Sequence, residues 1–173
     1  HRVVLFGNGG GASVLATDQL ARIGLGVAPL ERQTVDELGR LKLPPGTSIT
    51  NPVDAPVGTL QQEDGRVAEK ILEVIYGSGR PDALVMHLNL SAFVGRTKDE
   101  VLDNLVQAAL RVQARYPGQA HFVLVLRSDG EPALEERKRA FRSRAVALGV
   151  PVYDEIANAG AALAALAFHE RFV

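Results

Sequence analysis

Cysteine and tryptophan are missing from all 173 residues. Without cysteine there is no disulfide framework, no thiolate metal site and no cysteine nucleophile. No run approaches the ~18 to 20 apolar residues of a membrane span, and the amino terminus lacks the charged-then-apolar pattern of a signal peptide. Neither sign of charge dominates: 19 Lys and Arg stand against 20 Asp and Glu, for a formal net charge of -1. No global field therefore draws the chain toward nucleic acid or anionic membrane, and any charged ligand must be held locally. These absences lead us to expect a cytoplasmic protein with neither nucleic acid nor membrane as a partner.

With 46% hydrophobic residues over 173 positions, the chain can bury one core but hardly two. We expect a single domain over residues 1–173. It begins at His1 and enters an apolar strand almost at once, as a fragment of a larger multidomain protein would.

Apolar runs of strand length alternate with helical periodicity to the end of the chain. The strand candidates are residues 2–6, 26–30, 48–52, 83–88, 121–126 and 151–154. Most are continuously apolar, the pattern of strands covered on both faces of a parallel sheet. Val67, Ile71, Val74 and Ile75 line one helical face, and Val101, Leu105, Val106, Ala109 and Val112 another. Thr34 with Glu37, and Thr97 with Glu100, have capping-box spacing and predict helix starts near Val35 and Lys98. The alternation predicts an α/β fold, a doubly wound and mainly parallel sheet of five or six strands with helices on both faces. Ligands of such sheets bind beyond the carboxyl ends of the strands, near the topological switch point. Two segments are expected at that edge, GNGGGAS (7–13) and NPVDAP (51–56).

Gly9, Gly10 and Gly11 leave backbone amides uncovered, and the helix that follows adds its unpaired first-turn N–H groups and the positive end of its dipole. This combination suits a phosphate-like dianion, with Asn8 orienting the loop and Ser13 offering a hydroxyl. A bare strand-to-helix turn is the plainer use of the same glycines. A third reading comes from Gly7, Gly9 and Ala12, which satisfy the dinucleotide pattern G-x-G-x-x-A, with Glu31 as the ribose-binding carboxylate. Glu31 lies in a polar stretch beside Arg32 and Gln33, where a solvated carboxylate is the simpler state. No G-K-[ST] follows the glycines, so this is not a P-loop. Asp54 is suited either to cap a turn or to steady the glycine loop from the neighbouring strand end.

Taken together, NGGGASVLATDQLARIGLGVAPL, TVDELGRL, LPPGTSITNPVDAP and GVPVYDEIANAGAAL resemble the flavodoxin-like ligase domain of the NDP-forming (ADP-forming) acyl-CoA synthetases, related to the carboxyl-terminal domain of the succinyl-CoA synthetase beta subunit. The match is strong over the first 58 or so residues and moderate over the last 25. The resemblance implies an auxiliary domain of an NDP-forming ligase, inactive alone. Its glycine-led helix would stabilise a phosphohistidine or phosphoryl group supplied by another domain. Asn8, Gly9, Gly10, Gly11, Ala12 and Ser13 would form the phosphate-binding loop, and Asn51, Pro52, Val53 and Asp54 the supporting turn. The domain itself would hold no metal and no tightly bound cofactor. The full enzyme would use ATP and ADP (or GTP and GDP), Mg and CoA. Its CoA-binding and ATP-grasp domains would lie in the same chain or in a partner subunit, with phosphate as substrate and oligomers possible. A regulatory ligase-like region, such as those fused to acetyltransferases, is the alternative role, and a dinucleotide-binding module the other.

The four histidines offer no phosphorylated residue: His1 is terminal, His87 is expected inside a buried strand as a satisfied structural group, His121 opens another strand, and His169 sits on the last helix. Asn89, Ser91 and Arg96 leave the fourth strand at the expected ligand edge, and read as a solvated loop. The five basic residues of 135–144 read as a solvated helix face, and the small residues of 159–168 as a close-packing surface.

Overall fold

The computed structural model describes residues 2–93 and 100–170. The capping pair at Thr97 and the loop residue Arg96 lie outside the described residues, as does His1. Five strands make one sheet: β1 (Val3–Asn8), β2 (Val53–Asp54), β3 (Ala83–Asn89), β4 (His121–Arg127) and β5 (Val152–Tyr153). All are parallel and their order is β2-β1-β3-β4-β5, so the chain reverses its direction of travel between β1 and β3. This is the doubly wound, flavodoxin-like arrangement.

The long strands are apolar throughout because both their faces are covered. Val4 and Phe6 of β1, Leu84, Met86 and Leu88 of β3, and Leu124 and Leu126 of β4 enter one core. That core is completed by Leu38 of α2 (Arg32–Arg40), Leu60 of α3 (Val57–Leu60) and Ile71 of α4 (Arg66–Val74). Leu105 of α5 (Glu100–Arg115) and Phe141 of α6 (Pro132–Ala147) pack there too. The alternate residues Val3, Leu5, Val85, Val123 and Val125 enter a second core, with Ala16 and Leu20 of α1 (Gly10–Arg22) and Ile156, Ala159 and Leu163 of α7 (Ile156–Glu170). The side-chain period of two along each strand thus divides one apolar run between two cores.

The small residues of α7 have the packing role expected of them. A Cβ on Gly160 would stand 2.5 Å from Leu20 Cδ2 and 3.1 Å from Ile23 Cδ1, so the glycine lets α7 close against α1. The basic face of α6 is tied down locally, Lys138 and Arg142 to Asp154 at 2.9 and 3.0 Å and Arg144 to Asp103 at 3.0 Å.

Three expectations fail. Residues 26–30 are not a strand: Gly26 makes one isolated parallel bridge to Arg2, and the segment turns directly into α2. The third strand candidate lies a few residues late, at Val53–Asp54 rather than 48–52. Thr34 is not a cap, because α2 already starts at Arg32 after the extended Glu31. Thr34 is buried inside the helix, and its hydroxyl has no partner among the described residues. Among those residues no helix is long and apolar enough to cross a membrane.

Candidate functional site

The carboxyl edge of β1, at the switch point, brings the two expected segments together. The strand ends on Asn8, whose buried amide bridges to β3: its Nδ2 donates to the Asn89 carbonyl at 3.2 Å, and its Oδ1 accepts the Asn89 N–H at 3.1 Å. The side chain prolongs the β1–β3 ladder by one rung and so fixes where the glycine loop leaves the sheet.

Gly7 allows the sheet to close at that point. A Cβ there would stand 1.8 Å from the carbonyl oxygen of His87 on the adjacent strand. Gly9, at φ 122°, is the N-cap of α1, and its N–H donates to Asp54 Oδ1 at 2.8 Å. The Gly10 N–H donates to the same carboxylate, so Asp54 caps α1 from the end of β2. Both roles foreseen for Asp54 are one role. Burial raises its carboxyl above the ordinary range, against the opposing pull of the two glycine amides.

Ala12 and Ser13 donate their N–H groups to the Gly9 carbonyl at 3.0 and 3.2 Å, closing the first turn. The Ser13 side chain is buried, with its hydroxyl turned back toward the same carbonyl at 3.5 Å rather than outward. Gly11 differs from its neighbours. Its φ is not positive, and a Cβ there would meet nothing within 4 Å. Alanine is the better helix former, by up to about 1 kcal/mol in a helix interior, and nothing among the described residues requires glycine here.

The supporting turn is built around Asn51. Its Oδ1 accepts the Leu5 N–H at 3.0 Å, and its Nδ2 donates to the carbonyls of Val3 at 2.8 Å and Ala28 at 2.9 Å. The carboxamide stands where a longer β2 would have paired with β1. The Asn51–Pro52 peptide is cis. The Pro52 carbonyl accepts the Ser48 hydroxyl at 3.1 Å, Val53 pairs with Phe6, and Asp54 pairs with Gly7. A cleft of about 550 Å³ opens beside the loop, walled by Gly9, Asp54, Pro56, Gln61 and Asn89. A larger one of about 800 Å³ lies between α4 and α5, away from the glycines, and its Glu69, Glu73, Arg111 and Arg115 are already ion-paired with one another.

Two features of this edge were not foreseen. His87 is buried as expected, with 1% of its surface exposed, but neither ring nitrogen has a hydrogen-bond partner among the described residues. The satisfied structural histidine is therefore corrected to an unsatisfied one. Its pKa is pushed down to about 4, first by burial and second by the positive charge of Arg127. Arg127 ends β4 and lies two positions past Val125, the partner of His87 in the sheet. The period of two places it on the α1 and α7 face, on the side of the sheet that His87 occupies. Counting along paired strands would have found it, had the register been known.

Glu31 is exposed and sits 3.4 Å from Arg2, at the amino end of β1. Six strand residues, about 20 Å at ~3.3 Å each, separate that end from Gly9. The dinucleotide reading thereby loses its ribose partner, and Glu31 is the solvated carboxylate its neighbours suggested. Ser91 is held in the loop beyond β3 by Asp129 at 2.9 Å.

These features define a doubly wound domain with a glycine-led helix facing its switch point. No family model matches the chain. It is 29% identical over 166 residues to the alpha subunit of an ADP-forming acetate–CoA ligase II from Pyrococcus furiosus, covering 96% of this chain and 33% of that one. A crystal structure of a Pyrococcus horikoshii OT3 protein superposes with a TM-score of 0.66 at 25% identity, over 95% of this chain and 34% of the other. An apo acetyl-coenzyme A synthetase 1 of Candidatus Korarchaeum cryptofilum, described as dinucleotide forming, shares the fold at a TM-score of 0.68 and 20% identity, over 98% and 33%. The same enzyme matches in its complex with phosphate and ADP, at a TM-score of 0.67. The resemblance drawn from the glycine loop and NPVDAP is thereby borne out: over nearly its whole length the chain is similar to part of an ADP-forming acetate–CoA ligase subunit. It spans about a third of the curated relative it matches.

Proposed function

We propose that this chain is an auxiliary domain of an NDP-forming acyl-CoA ligase. In this reading the amino-terminal turn of α1 stabilises a phosphoryl group carried to it by another domain. Gly11 carries the argument. Gly9 and Gly10 have internal reasons to be glycine, the first its φ of 122° and the second an Asp54 oxygen 3.1 Å from where a Cβ would stand. Gly11 has none among the described residues, and a side chain removed from open space at a helix amino terminus is explained by a group that approaches from outside. The amide dipoles there are fixed by the fold before the ligand arrives, so they stabilise its charge without reorganising. Asp54 already accepts the Gly9 and Gly10 N–H groups, which leaves Gly11 N–H and the dipole as the contacts this turn offers.

ATP or GTP, Mg and CoA would be held by the ATP-grasp and CoA-binding domains, in the same chain or a partner subunit. Those domains would supply the nucleotide and thioester chemistry, and this domain alone would be inactive. Gly11 gives the test, because the fold tolerates its replacement. Gly11→Ala should raise stability by about 0.5–1 kcal/mol. Gly11→Val should stay folded, yet slow phosphoryl transfer in the assembled ligase by at least about tenfold. Unchanged transfer in a folded Gly11→Val ligase would remove the role.

A further inference from the structure

We propose that His87 forms the floor of the phosphoryl site, its imidazole donating a ring N–H to the phosphoryl group held at the amino terminus of α1. The inference rests on the phosphoryl reading of that helix and names the next residue the ligand meets. Cε1, the carbon between the two ring nitrogens, lies 3.9 Å from where a Cβ on Gly9 would stand. The edge of the ring that can hydrogen-bond is therefore turned toward the N-cap of the glycine-led helix. Both nitrogens are buried and unpartnered among the described residues, a state that costs ~1 kcal/mol or more per polar group. An anion beside Gly11, the first-turn amide that Asp54 leaves free, would supply the partner that the ring lacks.

The charges around the ring favour this assignment. Burial first, and the positive charge of Arg127 on β4 second, disfavour the charged imidazole, and just before α7 Glu155 lies 4.0 Å from Arg127. Beyond the loop stands the Asp54 carboxylate, bonded to the Gly9 and Gly10 amides. The first turn of α1 carries no acidic residue. A phosphoryl dianion would bring charge of the opposite sign to both Arg127 and a protonated His87. It would select the tautomer whose N–H points at it, and it would raise the proton affinity of the ring. No bond to His87 forms in this assignment; the imidazole binds and positions, and the phosphoryl group stays on its carrier.

The test is a titration of the ¹⁵N-labelled chain with inorganic phosphate at constant ionic strength, reading backbone amides and histidine ring nitrogens together. The ring of His121, paired with Glu170 at 2.7 Å, is the internal control. We expect saturable movement of the Gly11 amide, a parallel shift of the His87 ring, and a His87 midpoint raised by at least about one pH unit at saturation. His87→Leu should bind phosphate about tenfold more weakly while the Gly11 amide still responds. A Gly11 amide that saturates while the His87 ring stays still, with unchanged affinity in His87→Leu, would overturn the inference and leave the phosphoryl reading intact. If neither Gly11 nor His87 moves, both fall. The ring titration needs no substitution, so the outcome does not depend on how well the variant folds.

Discussion

The Asp54 carboxylate accepts the Gly9 N–H at 2.8 Å, so an anion of the chain itself already caps the helix that the phosphoryl group would approach. The arrangement holds the loop in shape, and it also places a negative charge close to the incoming one.

Removing that carboxylate separates the two effects. Asp54→Ala leaves two first-turn amides without their acceptor and should cost about 1–2 kcal/mol in urea denaturation. Asp54→Asn keeps an acceptor oxygen and loses the charge. It should cost less than Asp54→Ala and bind inorganic phosphate roughly three- to tenfold more tightly. Weaker phosphate binding in a folded Asp54→Asn chain would show that the charge helps rather than opposes.

Among the described glycines, Gly7 has the least room for a side chain. Its Cβ would overlap the backbone oxygen of His87, which cannot move without parting β1 from β3. Gly7→Ala should destabilise the chain by about 3 kcal/mol or more, seen as a lowered urea midpoint. Gly11→Ala, four residues on, should move the midpoint the other way.

Asn51 makes three hydrogen bonds to neighbouring backbone. At ~1 kcal/mol each, Asn51→Ala should lose about 2–3 kcal/mol. Asn51→Asp should recover little of that loss, because an acceptor then faces the carbonyls of Val3 and Ala28. A loss below about 0.5 kcal/mol for Asn51→Ala would mean that the turn is held by other contacts.

His87 makes stability depend on pH. Its ordinary value of 6.5 applies to the unfolded chain, and the folded value is about 4. Between those limits the unfolded state binds the proton and the native state does not, so stability falls as pH drops from about 6.5 to about 4 and then levels off. The full loss is about 3 kcal/mol. Asp54, whose folded pKa is raised, works in the opposite direction at the acid end, since the native carboxyl takes up its proton first. Urea denaturation at several pH values should show the slope in the unaltered chain and a clearly shallower one in His87→Leu.

The sheet's centre was legible because β1, β3 and β4 are buried on both faces and therefore read as unbroken apolar runs. The edges were not. A two-residue strand such as Val53–Asp54 carries no periodicity of its own, and residues 26–30 are apolar without having a neighbouring strand to pair with. The glycine loop and Asp54 were legible from residue types that only a few backbone uses require. His87 and Arg127 escaped because their association depends on which strands are adjacent and in what register, neither of which is written locally. Asn51 was placed in the right turn, but its work is done by one carboxamide reaching across to β1, and composition carries no trace of that reach.

The side-chain amide of Asn51 also decides what the sheet can join. Beyond the short β2, the exposed flank of β1 would offer free backbone groups at Val3 and Leu5, but the Val3 N–H is taken by Gly26 at 2.8 Å and the Val3 carbonyl and Leu5 N–H by Asn51. A stray extended segment therefore finds no template there, and strand-by-strand aggregation from this flank is blocked without a long guard strand. The carboxyl edge of the sheet, with its glycine loop, thus stays open while the lateral flank of β1 is closed by a single side chain.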